Sequence, residues 1–301
     1  MQMIKAGTIT VRSGLFFILL VATGLSHAAP AAPDLLVEGV RLPAWVIRDG
    51  NRQPLALAAT LKKNDQISTG NSARVLLRLG DGSMVKLGEN ANLEVSDLLQ
   101  RPQDRFIAAT LKVLEGAFRF TTGTSVKYRT RREINVRFPT LTAGIRGTDI
   151  WGKKLGDREV IVLIEGKITV TRAGDRPVQM NDALTYLQAP KSGATTIAAV
   201  LKDQLKAWAE ETELGEAHGS LRKGGRWKLY IGSYREQLEA LSLYDSLRRE
   251  GYPVRVLPQQ TEDGNRYRLR LAGFPSEQDA EAVGMRLKAF NPNIESVASL
   301  L

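Results

Sequence analysis

The chain has 301 residues, of which 43% are hydrophobic and 25% are charged, a composition typical of globular rather than disordered proteins. Its 42 lysines and arginines outnumber its 32 acidic residues, and the formal net charge of +10 suits acidic partners such as nucleic acid, anionic lipid or acidic polysaccharide. The sequence contains no cysteine, which excludes disulfides, thiolate metal sites and a lipid-carrying cysteine.

The N-terminal segment has the layout of a secretory signal peptide. Lys5 and Arg12 precede the apolar run 14–25, and the small residues of 26–30 follow it. We expect cleavage after Ala28, which removes residues 1–28 and exports the remainder to the periplasm. Loss of the two cations lowers the formal charge from +10 to +8. An uncleaved anchor is the alternative, but the run is shorter than the roughly 20 residues that a membrane span needs. No later stretch is apolar enough to span, so we expect no stable membrane insertion after cleavage.

Residues 35–188 are dense in short strand patterns and poor in helical periodicity, which predicts an all-β domain. The runs 75–79 and 84–87 flank Gly80-Asp81-Gly82-Ser83, a strong hairpin signal because glycine accepts the positive φ that such turns need. Further strands are expected around 93–95 and at 117–120, 134–138, 149–152, 160–164 and 168–171. Periodicity does not decide between a sandwich, a barrel and a coiled β-stack.

Three motifs in this region are distinctive: LKKNDQISTG at 61–70, LGDGS at 79–83 and PTLTAGIRGTD at 139–149. With them, residues 37–172 resemble the FecR domain family, and the third motif is its most specific signature. The resemblance implies an envelope-exposed β-domain used as a binding or scaffold module. The family is named for transmembrane regulators that restrain a sigma factor. Those carry a cytoplasmic domain before the membrane segment, and only a short segment precedes the apolar run here, so we do not expect the sigma-regulating function.

The signature Arg146-Gly147-Thr148-Asp149 is interpreted as a turn between strands. Gly147 permits an unusual φ, Thr148 and Asp149 can bond nearby backbone amides, and Arg146 can bridge loops. The alternative is that Arg146 grips an acidic ligand. We favour the structural role because an all-β fold needs such glycine-centred turns in any case.

Residues 189–225 are predicted to form a connector. A helix is expected near Leu205 and Trp208 and should dock on one of the domains, because the acidic segment 209–216 argues against binding to a membrane surface. Residues 220–225 are expected to be a hinge rich in glycine, lysine and arginine. His218, the only histidine left after cleavage at Ala28, lies beside this hinge and is expected to be solvated rather than catalytic.

The last 76 residues, 226–301, contain an internal repeat forty positions apart. The run 226–234 (RWKLYIGSY) is echoed by 266–274 (RYRLRLAGF), and both alternate apolar and polar residues as half-buried strands do. A helical pattern follows each copy, and strand-like runs at 254–257 and 294–298 follow the helices. The order βαββαβ predicts a ferredoxin-like α+β domain with both helices on one side of a four-stranded sheet.

The other side of this sheet is expected to be open. Alternation places Trp227, Leu229 and Ile231 toward the helices and the polar residues between them outward. The outward set consists of Lys228, Tyr230, Arg255, Arg268 and Arg270. A wet, charged sheet face is ordinary in antiparallel sheets, so the pattern alone leaves a binding role and a merely solvated face equally open.

The two strand motifs 227–234 and 267–274 resemble the SPOR domain family, over about residues 225–301. The resemblance implies binding of peptidoglycan, particularly of glycan strands stripped of their peptide stems, through the open face and its edges. Ser233 and Arg268 keep residue types that the family uses at these positions. Tyr230 stands where glutamine is commonest, and Arg266 where an aromatic residue occurs.

Other function classes fit the sequence less well. RNA binding shares the βαββαβ layout but needs paired aromatic residues where 266–274 offers arginines, and export separates the chain from nucleic acid. Paired carboxylates could cleave glycans, but no acidic pair lies in a recognisable motif. We therefore expect neither catalytic residues, nor a cofactor, nor a metal site. The expected function is a non-catalytic periplasmic protein that binds peptidoglycan, with septal enrichment where stripped glycan accumulates. The FecR-like domain would engage a second envelope protein. The alternative is an envelope signalling or scaffold protein whose main ligand binds the FecR-like domain.

Overall fold

The computed structural model describes residues 35–101, 106–123 and 131–301. The predicted signal peptide, residues 1–28, lies outside the described residues. Within these ranges an all-β region is followed by a small α/β region, which confirms the fold class expected from the sequence.

Strands account for the regular structure of the described residues from 35 to 199. They are β1 (Leu35–Arg41), β2 (Ala44–Arg48), β3 (Asn51–Pro54), β4 (Gln66–Thr69), β5 (Arg74–Leu79), β6 (Met84–Leu87), β7 (Asn92–Arg101), β8 (Phe106–Thr121), β9 (Arg131–Arg137), β10 (Leu141–Ile145), β11 (Asp149–Leu155), β12 (Arg158–Glu165), β13 (Ile168–Arg172), β14 (Val178–Met180), β15 (Thr185–Pro190) and β16 (Thr196–Ala199). Together with β17 (Ser220–Arg222) they build two sheets.

The two sheets share one long strand. Sheet I has the order β17-β1-β5-β6-β8-β11-β12-β15-β16. Sheet II has the order β3-β2-β4-β7-β8-β9-β10-β13-β14, in which only the described pair β8–β9 is parallel. Inward apolar side chains from both sheets, such as Leu77 and Val85 of sheet I and Ile67 and Val136 of sheet II, belong to one hydrophobic core. The strand pairings thus give two sheets that share β8 and contribute to one hydrophobic core.

The strand β8 passes from sheet II to sheet I at Gly116. Its first ten residues, 106–115, pair with β7, and residues from 116 onward pair with β11. Gly116 has φ +78°, and a Cβ added there would lie 2.5 Å from the Cα of Ala91. Only glycine satisfies both conditions without displacing the neighbouring chain.

The connector differs from the expectation of a hinge. Residues 220–222 form β17, which pairs antiparallel with β1 through Gly39↔Arg222, Val40↔Leu221 and Arg41↔Ser220. Leu221 and Ser220 are buried. The segment expected to be flexible is therefore a strand of sheet I, because its partner lies far away in sequence and local composition does not reveal the pairing.

The connector helix α1 (Lys202–Glu210) docks on the outer surface of sheet I. The Trp208 ring stacks on Trp151 of β11 with a centroid distance of 5.0 Å and an interplanar angle of 11°. Tyr186 of β15 meets Trp208 edge-on at 5.9 Å. These contacts confirm that the helix packs against a domain, and they explain why an aromatic residue occupies its apolar side.

The C-terminal region forms sheet III with two helices on one face. Its elements are β18 (Trp227–Tyr234), α2 (Gln237–Arg249), β19 (Arg255–Thr261), β20 (Gly264–Phe274), α3 (Glu277–Phe290) and β21 (Val297–Leu300). The strand order is β19-β20-β18-β21, all antiparallel. Leu229 and Leu269 of the strands are buried with Ala240, Val283 and Leu287 of the helices. The repeat seen in the sequence thus corresponds to the two central strands and the helix after each.

Sheet III is held firmly against the β-region. Trp45 Nε1 donates a hydrogen bond of 3.1 Å to the carbonyl of Arg249, and Arg286 Nη1 donates one of 3.2 Å to the carbonyl of Leu42. Burial lowers the pKa of Arg286 from its ordinary value, although the group stays cationic. The hydrophobic core is continuous across this junction.

The carboxylate of Asp279, which is 2% exposed, ties the end of the connector to α3. Its Oδ1 accepts hydrogen bonds from the backbone N–H groups of Gly219 at 2.9 Å and Ser220 at 3.0 Å. Its Oδ2 accepts a hydrogen bond from the hydroxyl of Ser276, the N-cap of α3. One carboxylate thereby fixes the start of α3 and the start of β17 together.

No helix in the three described ranges is both long enough and apolar enough to cross a membrane.

Candidate functional site

The open face of sheet III, on the side away from α2 and α3, brings most of the sequence-predicted residues together. One row runs straight across the sheet in register: Arg255 of β19 lies opposite Arg270 of β20, Arg270 opposite Tyr230 of β18, and Tyr230 opposite Val297 of β21. Arg255 and Val297 are exposed, and Arg270 and Tyr230 are half-buried. We call the outward side chains of these four strands the open face.

A second row carries Arg268 and Ser233. The register of β18 against β20 shifts between Tyr230 and Gly232, which leaves Ile231 without a partner in the ladder. This bulge puts Ser233 opposite Arg268 on the open face and keeps both Leu229 and Ile231 buried. Strict alternation from Leu229 would have turned Ser233 toward the helices.

Tyr230 lies at the centre of a cationic cluster. Lys228 Nζ is 5.3 Å from the centroid of its ring, and Arg268 Cζ is 5.5 Å from it. Cations this close to an aromatic face are attracted by the ring by about 0.5–1 kcal/mol at exposed sites. The tyrosine therefore helps to hold two cations in place and still offers part of its surface to solvent.

The cations of the open face have no acidic partner in the described part of the chain. No carboxylate there lies within 4.0 Å of the side-chain nitrogens of the five residues Lys228, Arg255, Arg266, Arg268 and Arg270. Arg266, opposite Gln259, lies further along β20 toward the β19–β20 turn. Five nearby cations without counter-charges raise the local positive potential and favour an anionic ligand.

Sequence reasoning missed the apolar residues of the open face. Val297 is 63% exposed beside Tyr230, and Leu257 lies opposite Arg268. Both follow from the same alternation that identified the cations, once the strand boundaries of β19 and β21 are known. They add an apolar component to a surface that otherwise consists of cations and one aromatic ring.

The FecR signature residues form a structural turn. Gly147 has φ +72°, and the backbone N–H of Thr148 donates a hydrogen bond of 2.9 Å to the hydroxyl of Thr122. Asp149 accepts two hydrogen bonds from Arg119, at 2.9 and 2.7 Å. This hydrogen-bonded carboxylate raises the pKa of Arg119 above its ordinary value despite partial burial. Gly147, Thr148 and Asp149 thus each have a structural role in the turn.

Arg146 is the member of the turn that points away from it. It is exposed and lines a groove of about 740 Å³ on sheet II, together with Arg131, Asn135, Gly144 and Thr169. Asn135, Gly144 and Thr169 form one row across β9, β10 and β13. The groove is lined by two exposed arginines, Arg131 and Arg146, and by one exposed carboxylate, Glu133.

The residues that the structure describes include no cluster of three or more histidines and acidic residues able to hold a metal ion. His218 is exposed, as expected for a solvated residue.

Comparison with known proteins finds a family match in each of the two regions. Residues 65–169 match the family model described as FecR protein, and residues 223–294 match the one described as SPOR domain. No curated protein matches the sequence. Two crystal structures of a candidate anti-sigma factor from Parabacteroides distasonis ATCC 8503, at 1.65 and 2.50 Å resolution, are similar at 13% and 14% identity. They cover 78% and 75% of this chain and 99% and 91% of their own, with TM-scores of 0.39 and 0.40.

The family matches indicate the general class of function. A SPOR domain indicates peptidoglycan binding and is typical of periplasmic envelope proteins, and both families are binding or signalling families without catalytic activity. The matched ranges also fall in the order expected from the motifs. In chain order, the protein thus contains a FecR region followed by a SPOR domain.

Proposed function

We propose that this protein is an exported, non-catalytic periplasmic protein that binds peptide-stripped glycan strands of peptidoglycan through the open face of its SPOR domain. The observation that carries the proposal is the set of five cations without acidic partners among the described residues, two of which, Lys228 and Arg268, lie against the ring of Tyr230. The FecR region serves as a second binding or scaffold module.

The chemistry of stripped glycan suits this surface. Removal of the peptide stems exposes the lactyl carboxylate of each muramic acid, so the strand carries regularly spaced negative charges. Lysine and arginine pair with carboxylates, and arginine can do so with two hydrogen bonds. Intact peptidoglycan hides these carboxylates in amide bonds, which is why we expect preference for stripped strands.

The apolar part of the surface suits the sugar rings. Tyr230 offers a flat ring to the C–H face of a sugar and a hydroxyl to its polar rim. Val297, directly opposite on β21, widens this apolar strip. Each exposed ion pair contributes only about 0.2–1 kcal/mol, so several pairs plus the apolar contact are needed for useful affinity.

Co-sedimentation of the mature full-length protein with amidase-treated sacculi tests this proposal. The variant Tyr230→Ala/Arg268→Ala should bind at least about tenfold more weakly, because it removes the central ring and one of its cations. Tyr244→Ala/Arg248→Ala is the matched control. It removes the same two residue types from α2, where Arg248 Cζ lies 5.2 Å from the Tyr244 ring, on the helix side of the sheet. The control should sediment like the parent; undiminished sedimentation of the open-face variant would refute the proposal.

Septal enrichment follows from the proposed ligand, because stripped glycan accumulates where daughter cells separate. A fluorescent fusion with the native N-terminal segment should concentrate at division sites, and uniform peripheral fluorescence would contradict this part of the proposal.

The groove beside Arg146 supports a second candidate function, an envelope signalling or scaffold role in which the FecR region holds the main ligand. Its arginines would suit an acidic partner. Arg146→Ala should leave sedimentation with sacculi unchanged under the first proposal. Loss of a captured envelope partner in this variant, with glycan binding intact, would favour the second.

A further inference from the structure

A small groove lies where the loop after β3, in the all-β region, meets the open face. It has a volume of about 240 Å³, and its walls include Ala56, Leu57 and Ala58 from the loop after β3. The opposite wall is formed by residues of sheet III, among them Arg255, Arg270 and Ala272. We call it the junction groove. Two cations of the open face, Arg255 and Arg270, thus also line a space that residues 56–58 close.

The loop wall of the groove is fixed in position. The backbone N–H of Ala58 donates a hydrogen bond of 2.9 Å to the carbonyl of Val37, and Val37 donates one of 3.0 Å to Ala59. Leu57 packs so closely on β20 that a Cβ added to Gly273, at φ +105°, would lie 2.7 Å from Leu57 Cδ2. The wall therefore keeps its place relative to sheet III.

The charge of the groove is unbalanced. Arg255 and Arg270 lie directly opposite each other on neighbouring strands, an arrangement that destabilises a sheet when the two charges have the same sign. Neither guanidinium has a carboxylate within 4.0 Å among the described residues. An anion bound between them would relieve this repulsion and satisfy donors of both side chains.

The remaining surface of the groove is mostly small and apolar. Ala56 and Ala58 line it from the loop, Ala272 from β20 of sheet III and Pro253 from the segment before β19. This combination of two guanidinium groups with an aliphatic wall suits a sugar ring that carries both a carboxylate and methyl-bearing substituents. The volume accommodates one substituted ring rather than a length of chain.

We propose that the junction groove binds one carboxylate-bearing sugar of the glycan strand, with the carboxylate on Arg255 and Arg270 and the methyl groups against Ala56 and Ala272. The all-β region is then part of the glycan site and not only a neighbouring module. This inference rests on the proposed function, since it assigns one sugar of the same ligand. It adds a wall that the SPOR domain alone does not supply.

Two substitutions at Ala56, one charged and one neutral, test the proposal in the full-length mature protein. Ala56→Glu places a carboxylate beside the two arginines, where it competes with the ligand, and Ala56→Gln fills the same space without charge. With amidase-treated sacculi, Ala56→Glu should bind at least about fivefold more weakly than Ala56→Gln. Equal binding of the two variants and the parent would overturn the inference. If Tyr230→Ala/Arg268→Ala still abolished binding in that case, the proposed function would stand and only the junction groove would be lost.

Labelling of an introduced cysteine gives a second test, because it measures whether the ligand covers the groove wall without adding a charge or a large side chain there. The sequence contains no cysteine, so Ala58→Cys supplies a single thiol on an exposed position of the wall. Soluble, amidase-released glycan strands should slow its reaction with a neutral maleimide at least about fivefold, by covering it. Lys288→Cys on the exposed side of α3 is the control and should react at an unchanged rate. Unprotected Ala58→Cys under conditions where the parent protein binds the strands would contradict the proposal.

Discussion

Two sheet faces of this protein carry clusters of cations, and they differ in whether carboxylates pair with those cations. On the outer surface of sheet I, Lys86 pairs with Glu213, Lys153 with Glu211, and Arg119 with Asp149. On the open face of sheet III, the five cations have no carboxylate partner among the described residues. A run of lysines and arginines in a strand therefore does not define a binding surface by itself. The positions of the acidic residues decide whether the charge is already neutralised.

The acidic connector explains this difference. Glu211 and Glu213 follow α1 directly and lie across sheet I, where Trp208 has docked. Thr212 between them is completely buried. The acidic segment 209–216, which the sequence only excluded from membrane binding, thus has a positive role as the counter-charge of one face. No equivalent segment covers sheet III in the ranges that the structure describes.

The largest expected difference between the two faces is in how much the loss of a charged residue lowers the free energy of unfolding. Asp149→Ala removes the bidentate partner of Arg119, and the two side chains are only 13% and 20% exposed. Arg119 keeps only its 3.3 Å contact with Glu213 in this variant. Loss of the two shorter hydrogen bonds from this largely buried cation should lower the free energy of unfolding by about 1–3 kcal/mol. Thermal unfolding should show a Tm lower by about 2–4 °C for each kcal/mol.

The matching change on the open face is Arg268→Ala. It should alter the free energy of unfolding by less than about 0.5 kcal/mol, because no carboxylate loses its ion-pair partner when this arginine is removed. Glycan binding should show the opposite pattern: it should be unchanged in Asp149→Ala and weaker in Arg268→Ala. If both variants were equally destabilised, the distinction between paired and unpaired faces would fail.

A smaller effect is expected from neutralising the connector. Glu211→Gln/Glu213→Gln removes the ion pairs with Lys86 and Lys153 and should cost about 1 kcal/mol of stability, because these pairs are partly exposed. It should not create a second glycan site, since Trp208 still covers the neighbouring surface and sheet I presents no aromatic ring free of the helix. Sedimentation with amidase-treated sacculi measures this. A clear gain in binding would show that unpaired cations suffice and that Tyr230 is incidental.

The C-terminal region was predictable from sequence because its information is local. The forty-residue echo identified β18, β20 and the helices after them, and alternation identified the outward cations. The same reasoning could not place Ser233, because the bulge between Tyr230 and Gly232 changes the direction of the following side chains. The resemblance to the SPOR family, rather than the pattern, put Ser233 in the expected site.

The β-region was less predictable because its decisive pairings are distant in sequence. The sequence anticipated β5–β7, the end of β8, β9 and β11–β13, but not β1–β4, β10 or β14–β16. The crossing of β8 at Gly116 depends on contact with Ala91, and the pairing of β17 with β1 spans most of the chain. A composition rich in glycine and cations suggested a hinge at 220–225. The junction groove depends on that same pairing, so it was invisible to sequence reasoning.

The most direct test of the account changes the ligand and leaves the protein untouched. Amidase-treated sacculi can be divided, and the lactyl carboxylates of one half converted to neutral amides by carbodiimide coupling to methylamine. The mature protein should sediment with the carboxylate form at least about tenfold better than with the neutral form, because several ion pairs are lost together. Binding to the carboxylate form should also fall as salt shortens the Debye length from about 10 Å at 0.1 M to about 3 Å at 1 M. Equal sedimentation with both forms would contradict the central claim that the unpaired cations of the open face recognise the charged glycan.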